Sequence, residues 1–232
     1  MTHDRQALLL WEALGWEEPP ALAGEALTHR SYANEHGTRR TGETTSDNQR
    51  LEFLGDAALG LCASELLMEA FPDADEGELS RMRAALVKAE TLATFARKVN
   101  VGDALRLGKG ADLAGDRRQT NVLADAVEAL VAAAYLDGGL DRARALVRRI
   151  VGDDLDRARE LGSRDPKSAL QEKVQGRGRR APVYRLATTE GPEHDRWFVV
   201  EVVVEDEVVA TGRGRSKKVA EQEAARAAME KP

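Results

Sequence analysis

Two stretches of the chain set a pair of acids into an otherwise apolar run. Glu52 and Asp56 lie one turn apart in Leu51-Glu52-Phe53-Leu54-Gly55-Asp56-Ala57-Ala58-Leu59, and Asp125 and Glu128 are the only charged residues between Val122 and Leu136. Positions three or four apart on a helix are neighbours, so each pair would share one helix face. An ionised carboxylate in apolar surroundings is costly unless it takes a proton or meets a cation. Four such acids on two core helices suit a hard divalent ion such as Mg²⁺, which takes oxygen ligands and keeps several waters. The competing, purely structural reading places the same acids at helix ends or in salt bridges with Arg50, Arg81 or Arg83.

The elements that must carry these acids read as helices. The chain has 232 residues, 42% hydrophobic and 32% charged but only 4% aromatic, so alanine and leucine supply the apolar mass. Residues 1 to about 160 form helical segments joined by short polar ones, with a Gly/Thr/Arg-rich break from His36 to Gln49. Asp75 and Glu78 have the spacing of a capping box ahead of the apolar stripe Leu79, Met82, Leu86. Asp141 to Arg159 is expected to form a closing helix, and Glu160 to Pro166 has the Gly, Ser and Pro of a linker. No apolar run reaches the roughly 20 residues that span a bilayer, which predicts no membrane partner. The N-terminal residues lack a basic-then-apolar signal pattern, and the single Cys62 excludes an internal disulfide. A cytoplasmic location is expected.

After the linker the periodicity changes. Lys167 to Gln175 is helical, Val183 to Ala187 is a first strand, and Trp197 to Val204 alternates with Phe198, Val200, Val202 and Val204 on one face. Glu205-Asp206-Glu207 turns the chain back into Val208-Val209-Ala210, and Ser216 to Met229 is a final helix. The fold class is therefore a mainly α N-terminal domain (1–160), a linker (161–165) and an α-β-β-β-α domain (166–232). The net charge of −6 is unevenly shared: residues 163–232 hold 14 Lys/Arg against 12 Asp/Glu, which leaves −8 on the rest. Local basic patches matter more for an anionic partner than the total does.

The runs Leu27–Glu35 (LTHRSYANE), Asn48–Leu59 (NQRLEFLGDAAL), Asp75–Val87 (DEGELSRMRAALV) and Leu123–Gly139 (LADAVEALVAAAYLDGG) resemble, in order, the ribonuclease III family. The resemblance implies a nuclease that cuts double-stranded RNA, with Glu52, Asp56, Asp125 and Glu128 as metal-binding acids. It gives Asp56 and Glu128 the central roles and sets Glu76 at the edge of the same valley. Phosphodiester hydrolysis fits such a site, since a carboxylate-held ion can activate water and neutralise a leaving oxygen. Gln49 departs from the pattern, because many members carry glutamate there. His29 and Ser31 are read as capping and core hydrogen-bonding residues.

The C-terminal residues Pro166–Glu172, Gly191–Asp195 and Gly212–Ala225 are similar to a double-stranded-RNA-binding domain. That likeness implies RNA contacts from Ser168, Gln171, Glu172, Gln175, His194, Ser216, Lys217 and Lys218. Lys217 and Lys218 open a helix whose amides and dipole already favour phosphate. A-form RNA is read mainly by shape, through phosphates and 2′-hydroxyls. The cluster Arg177-Gly178-Arg179-Arg180 has no such pattern and reads as an exposed basic loop. The family implies a Mg²⁺-dependent homodimer, with Mn²⁺ a candidate substitute and no small-molecule cofactor. It would leave 5′-phosphate and 3′-hydroxyl ends with short 3′ overhangs on ribosomal RNA precursors and structured mRNA. Two rivals are an RNA-binding protein on a vestigial nuclease fold and a helical subunit of a ribonucleoprotein. Retention of all four acids weighs against both.

Overall fold

The computed structural model describes residues 3–36, 46–163, 165–192 and 195–230, which divide into two compact units, 1–163 and 164–232. The first unit contains, among its described residues, α1 (His3–Ala13), α2 (Ala23–Ala26), α3 (Arg30–His36), α4 (Gln49–Ala70) and α5 (Glu76–Leu86). They are followed by α6 (Ala89–Lys98), α7 (Val101–Ala104), α8 (Lys109–Ala114), α9 (Thr120–Val151) and α10 (Ala158–Leu161).

The two acid-bearing helices are the centre of this unit. In α4, Leu51, Gly55, Ala58, Leu59, Cys62, Ala63, Leu66 and Leu67 are buried, a stripe at helical spacing that faces α9. The helices run side by side in the same direction. Gly55 backs onto Glu128 near one end, and Glu69 pairs with Arg144 and Arg148 further along. The Gly55 contact leaves no room for a side chain: a Cβ there would stand 1.8 Å from the Glu128 carbonyl oxygen. α9 is broken at Gly138 and Gly139, the latter at φ 68°, ψ −161°, a region essentially confined to glycine. A helix through Leu136 and another from Asp141 therefore form as the sequence predicts. The second stops at Val151 instead of Arg159, because the chain turns at Gly152 before the short α10. The expected capping box of α5 is present: Glu78 N donates to Asp75 Oδ1 (2.8 Å) and Asp75 N to Glu78 Oε2 (3.2 Å).

The second unit is α11 (Pro166–Gly176), β1 (Val183–Glu190), β2 (Trp197–Val204), β3 (Glu207–Gly214) and α12 (Lys217–Met229). The strands form an antiparallel sheet in the order β1-β2-β3. Glu205 and Asp206 both take positive φ (50° and 70°), the geometry of a tight two-residue hairpin turn. One core joins Leu170 and Val174 of α11, Val202 and Val204 of β2, Ala210 of β3 and Ala224, Ala225 and Ala228 of α12. β1 runs three residues further than predicted, with Thr188, Thr189 and Glu190 pairing Val199, Phe198 and Trp197.

Candidate active site and RNA interface

Glu52, Asp125 and Glu128 converge. Each offers one carboxylate oxygen, and the three oxygens lie within 4.8 Å of one another. All three side chains are half-buried. Burial first, then the neighbouring Asp56, Asp125 and Glu52, push the Glu128 carboxyl up from 4.5 to about 7. Burial followed by the charges of Asp125, Asp47 and Asp56 raises Glu52. Burial also raises Asp125, against the lowering influence of His29 and Arg30. Asp56 lies one turn along α4, is exposed, and joins the group through its charge on Glu52 and Glu128.

Among the described residues this charge meets no ion-pair partner, and only His29 and Arg30 offset it, at Asp125. Among the described residues no lysine or arginine forms an ion pair with Glu52, Asp56, Asp125 or Glu128, and Arg83 instead donates to Ser64 Oγ at 3.1 Å. The structural reading that pairs these acids with Arg50, Arg81 or Arg83 therefore fails. Three close, half-desolvated oxygens with raised proton affinity are a donor set that fits a hard divalent cation.

His29 borders the cluster. Its Nδ1 accepts from Ser31 N (3.3 Å) at the start of α3 and meets Ser31 Oγ at 2.8 Å, while Gly108 N donates to the same Oγ at 2.9 Å. These bonds favour the neutral tautomer protonated on Nε2. Burial and the adjacent Arg30 hold its pKa below the usual value. The surrounding block is tied down by backbone bonds: His29 N donates to Arg106 O (3.0 Å), Arg106 N to Leu27 O (2.8 Å) and Asn48 N to Thr28 O (2.9 Å).

Other residues fall outside the trio. Glu76 is exposed at the first position of α5 and accepts from Ser80 Oγ at 3.0 Å, and Gln49 is exposed at the first position of α4. Asp47 and Asp116 were not singled out from sequence, yet both act on the site's electrostatics, Asp47 on Glu52 and His29 and Asp116 on His29. Asp47 Oδ1 also accepts from Gln49 N at 3.1 Å, an Asx turn that its position just ahead of a helix could have signalled.

In the second unit Ser168, Gln171, Glu172 and Gln175 are exposed along α11, and Gln171 Nε2 donates to Gln175 Oε1 at 3.2 Å. Ser216 caps α12 by accepting from Val219 N at 3.2 Å. Lys217 and Lys218 follow it, exposed and without an acidic partner among the described residues. Lys167, by contrast, is held by Glu221 at 2.6 Å and lies 4.6 Å from the Tyr184 ring centroid. α11 packs on α12, so both exposed sets belong to one small module. His194 lies outside the described residues.

The family model described as ribonuclease-III-like matches residues 19–154. The chain belongs to the ribonuclease III family. A second model, the double-stranded RNA binding motif, matches residues 166–231. Ribonuclease 3 of Symbiobacterium thermophilum is 47% identical over 220 residues, covering 94% of this chain and 91% of that protein. Ribonuclease 3 of Mycobacterium tuberculosis is 44% identical over 232 residues, 98% of this chain and 93% of that one. Among solved structures, the nuclease domain of ribonuclease III from Campylobacter jejuni matches with TM-score 0.55 at 32% identity, covering 63% of this chain and 94% of that one. A second structure of that domain (TM-score 0.54, 33% identity, 62% and 94% covered) is described by flexibility in a region involved in its dimer formation. This ribonuclease III family member is an endoribonuclease acting on double-stranded RNA. Its acidic cluster could hold a metal ion.

Proposed function

We propose that the chain is a Mg²⁺-dependent homodimeric endoribonuclease that cuts both strands of duplex RNA, leaving 5′-phosphate and 3′-hydroxyl ends with short 3′ overhangs. Mn²⁺ is a candidate substitute. The observation that carries this reading is the convergence of Glu52, Asp125 and Glu128 with no ion-paired lysine or arginine among the described residues. These three residues would hold the ion, with Asp56 as the further acid of the site and Glu76 a more remote one. When bound, Mg²⁺ supplies charge neutralisation at the phosphodiester and lowers the pKa of a bound water. The chain's own residues supply the rest. Gly55 lets α4 approach α9 closely enough for the acids to share one space, and Glu128, protonated near neutrality in the free site, gives up its proton to become a ligand.

Duplex RNA would be held by Ser168, Gln171, Glu172, Gln175, His194, Ser216, Lys217 and Lys218, with the lysines on phosphate at the α12 N-terminus. The proposed division is a nuclease domain over 1–160, a linker over 161–165 and the RNA-binding domain over 166–232. Support for the homodimer comes from an exposed apolar stripe on α4, where Phe53, Leu61 and Met68 are 83%, 52% and 62% exposed and fall within about 80° of one another. The Campylobacter jejuni nuclease domain, described with a region involved in dimer formation, supports a dimer as well. The proposed targets are ribosomal RNA precursors and structured mRNA in the cytoplasm. End analysis of a cleaved duplex tests the reading. It predicts 5′ termini that a ligase accepts and staggered cuts, whereas 3′-phosphate ends would overturn the metal-assisted chemistry.

A further inference from the structure

Away from the acid cluster, the first unit encloses an open-sided cavity of about 370 Å³ between α1, the Pro19–Ala21 segment and α2. Its lining is apolar: Trp11, Pro20, Ala23 and Leu27 are buried, with Ala7 and Pro19 completing the walls. The one charged lining residue is Arg106. Its backbone is fixed by bonds to Leu27 and His29, yet among the described residues the guanidinium of this half-buried residue has neither an acidic nor any other acceptor. Gly24 leaves the space before it open, since a Cβ there would come within 3.9 Å of two guanidinium nitrogens.

A guanidinium set in an apolar wall is incompletely solvated, and an anion that reached it would gain a charge-assisted, bidentate bond while burying its own apolar body. The volume falls in the range of small-molecule sites, roughly 300–1,000 Å³. We propose that this cavity binds a small organic acid: one carboxylate on Arg106, with an aromatic or aliphatic body between Trp11, Leu27 and the two prolines. A nucleotide fits less well. Its base would bury several ring nitrogens and exocyclic groups against walls whose one charged side chain is already used by the anion and whose only other side-chain donor is the Trp11 indole N–H. This site shares no residue with the acid cluster and does not depend on the nuclease reading.

The test titrates the full-length chain with 4-phenylbutyrate, its neutral amide 4-phenylbutyramide, and uridine 5′-monophosphate, reading the Trp11 indole and Arg106 Nε signals by ¹H–¹⁵N NMR. The expected result is saturable shifts at both signals with the acid and affinity weaker by about tenfold or more for the amide. Arg106→Gln should abolish the preference for the acid over the amide. Gly24→Val, which keeps the guanidinium but fills the space before it, should weaken both ligands. Equal affinity for acid and amide, no saturation at Trp11 and Arg106, or tighter binding of the nucleotide would each overturn the assignment.

Discussion

Replacing Glu128 with glutamine separates the electrostatic strain of the site from its chemistry. The Glu128 carboxyl titrates near 4.5 when unfolded and at about 7 in the metal-free fold, with burial as the first cause. Between those values the folded state keeps a proton that the unfolded state has lost. The stabilisation it brings is fully present below about pH 4.5 and is lost as pH rises through about 7. At 1.36 kcal/mol per pH unit the whole shift corresponds to roughly 3 kcal/mol, which solvent screening of this half-buried side chain reduces to about 1–2 kcal/mol. Glutamine cannot ionise. In chelator at about pH 8, Glu128→Gln should therefore be the more stable protein by about 1–2 kcal/mol, or roughly 3–6 °C in Tm, and the difference should vanish near pH 4.5. Adding Mg²⁺ should stabilise the parent and much less the variant. Thermal unfolding followed by circular dichroism across this pH range reads both effects. A variant no more stable than the parent at about pH 8, or a difference independent of pH, would refute the electrostatic account.

Gly55→Ala should disturb the site from behind: restoring an ordinary contact of about 3.3 Å to the Glu128 carbonyl needs a displacement on the order of 1.5 Å between α4 and α9. The expected loss is about 1–3 kcal/mol of stability, with weakened Mg²⁺ binding in the folded fraction; unchanged melting and metal binding would contradict the packing argument. Phe53→Asp should shift the protein to monomer in sedimentation experiments, and an unchanged mass would remove the α4 stripe from the dimer interface. Lys217→Ala with Lys218→Ala should weaken duplex binding and lower the salt-dependence slope by up to roughly 1.8, from about 0.9 per phosphate contact, while an identical slope would take these lysines off the RNA.

The acid pairs were legible because charge stands out in an apolar helix, and the second unit because its periodicity switches between helix and strand. The selection of Glu52, Asp125 and Glu128 as the converging trio was not legible. It depends on the register of α4 against α9, fixed by a contact between Gly55 and a residue more than seventy positions away. Asp47 and Asp116 escaped notice for the same reason, since each is ordinary in its own segment and reaches the site only through the fold. The end of α9 was hidden by apolar spacing that continues from Ile150 to Leu155 across the turn at Gly152. The last residues of β1 were hidden by polar, exposed side chains that lack the apolar alternation of a strand yet pair with β2 along the backbone.

The central claim is that the converging carboxylates are the metal site that cuts duplex RNA. The most direct measurement incubates the parent and Asp125→Asn proteins with a long RNA duplex, and separately with its single strands, in Mg²⁺ and in chelator, while duplex binding is followed in parallel. The account predicts Mg²⁺-dependent shortening of the duplex by the parent, none in chelator, little action on the single strands, and a variant that binds the duplex but no longer cuts it. Cleavage that survives chelation, or an Asp125→Asn protein that cuts as well as the parent, would contradict it.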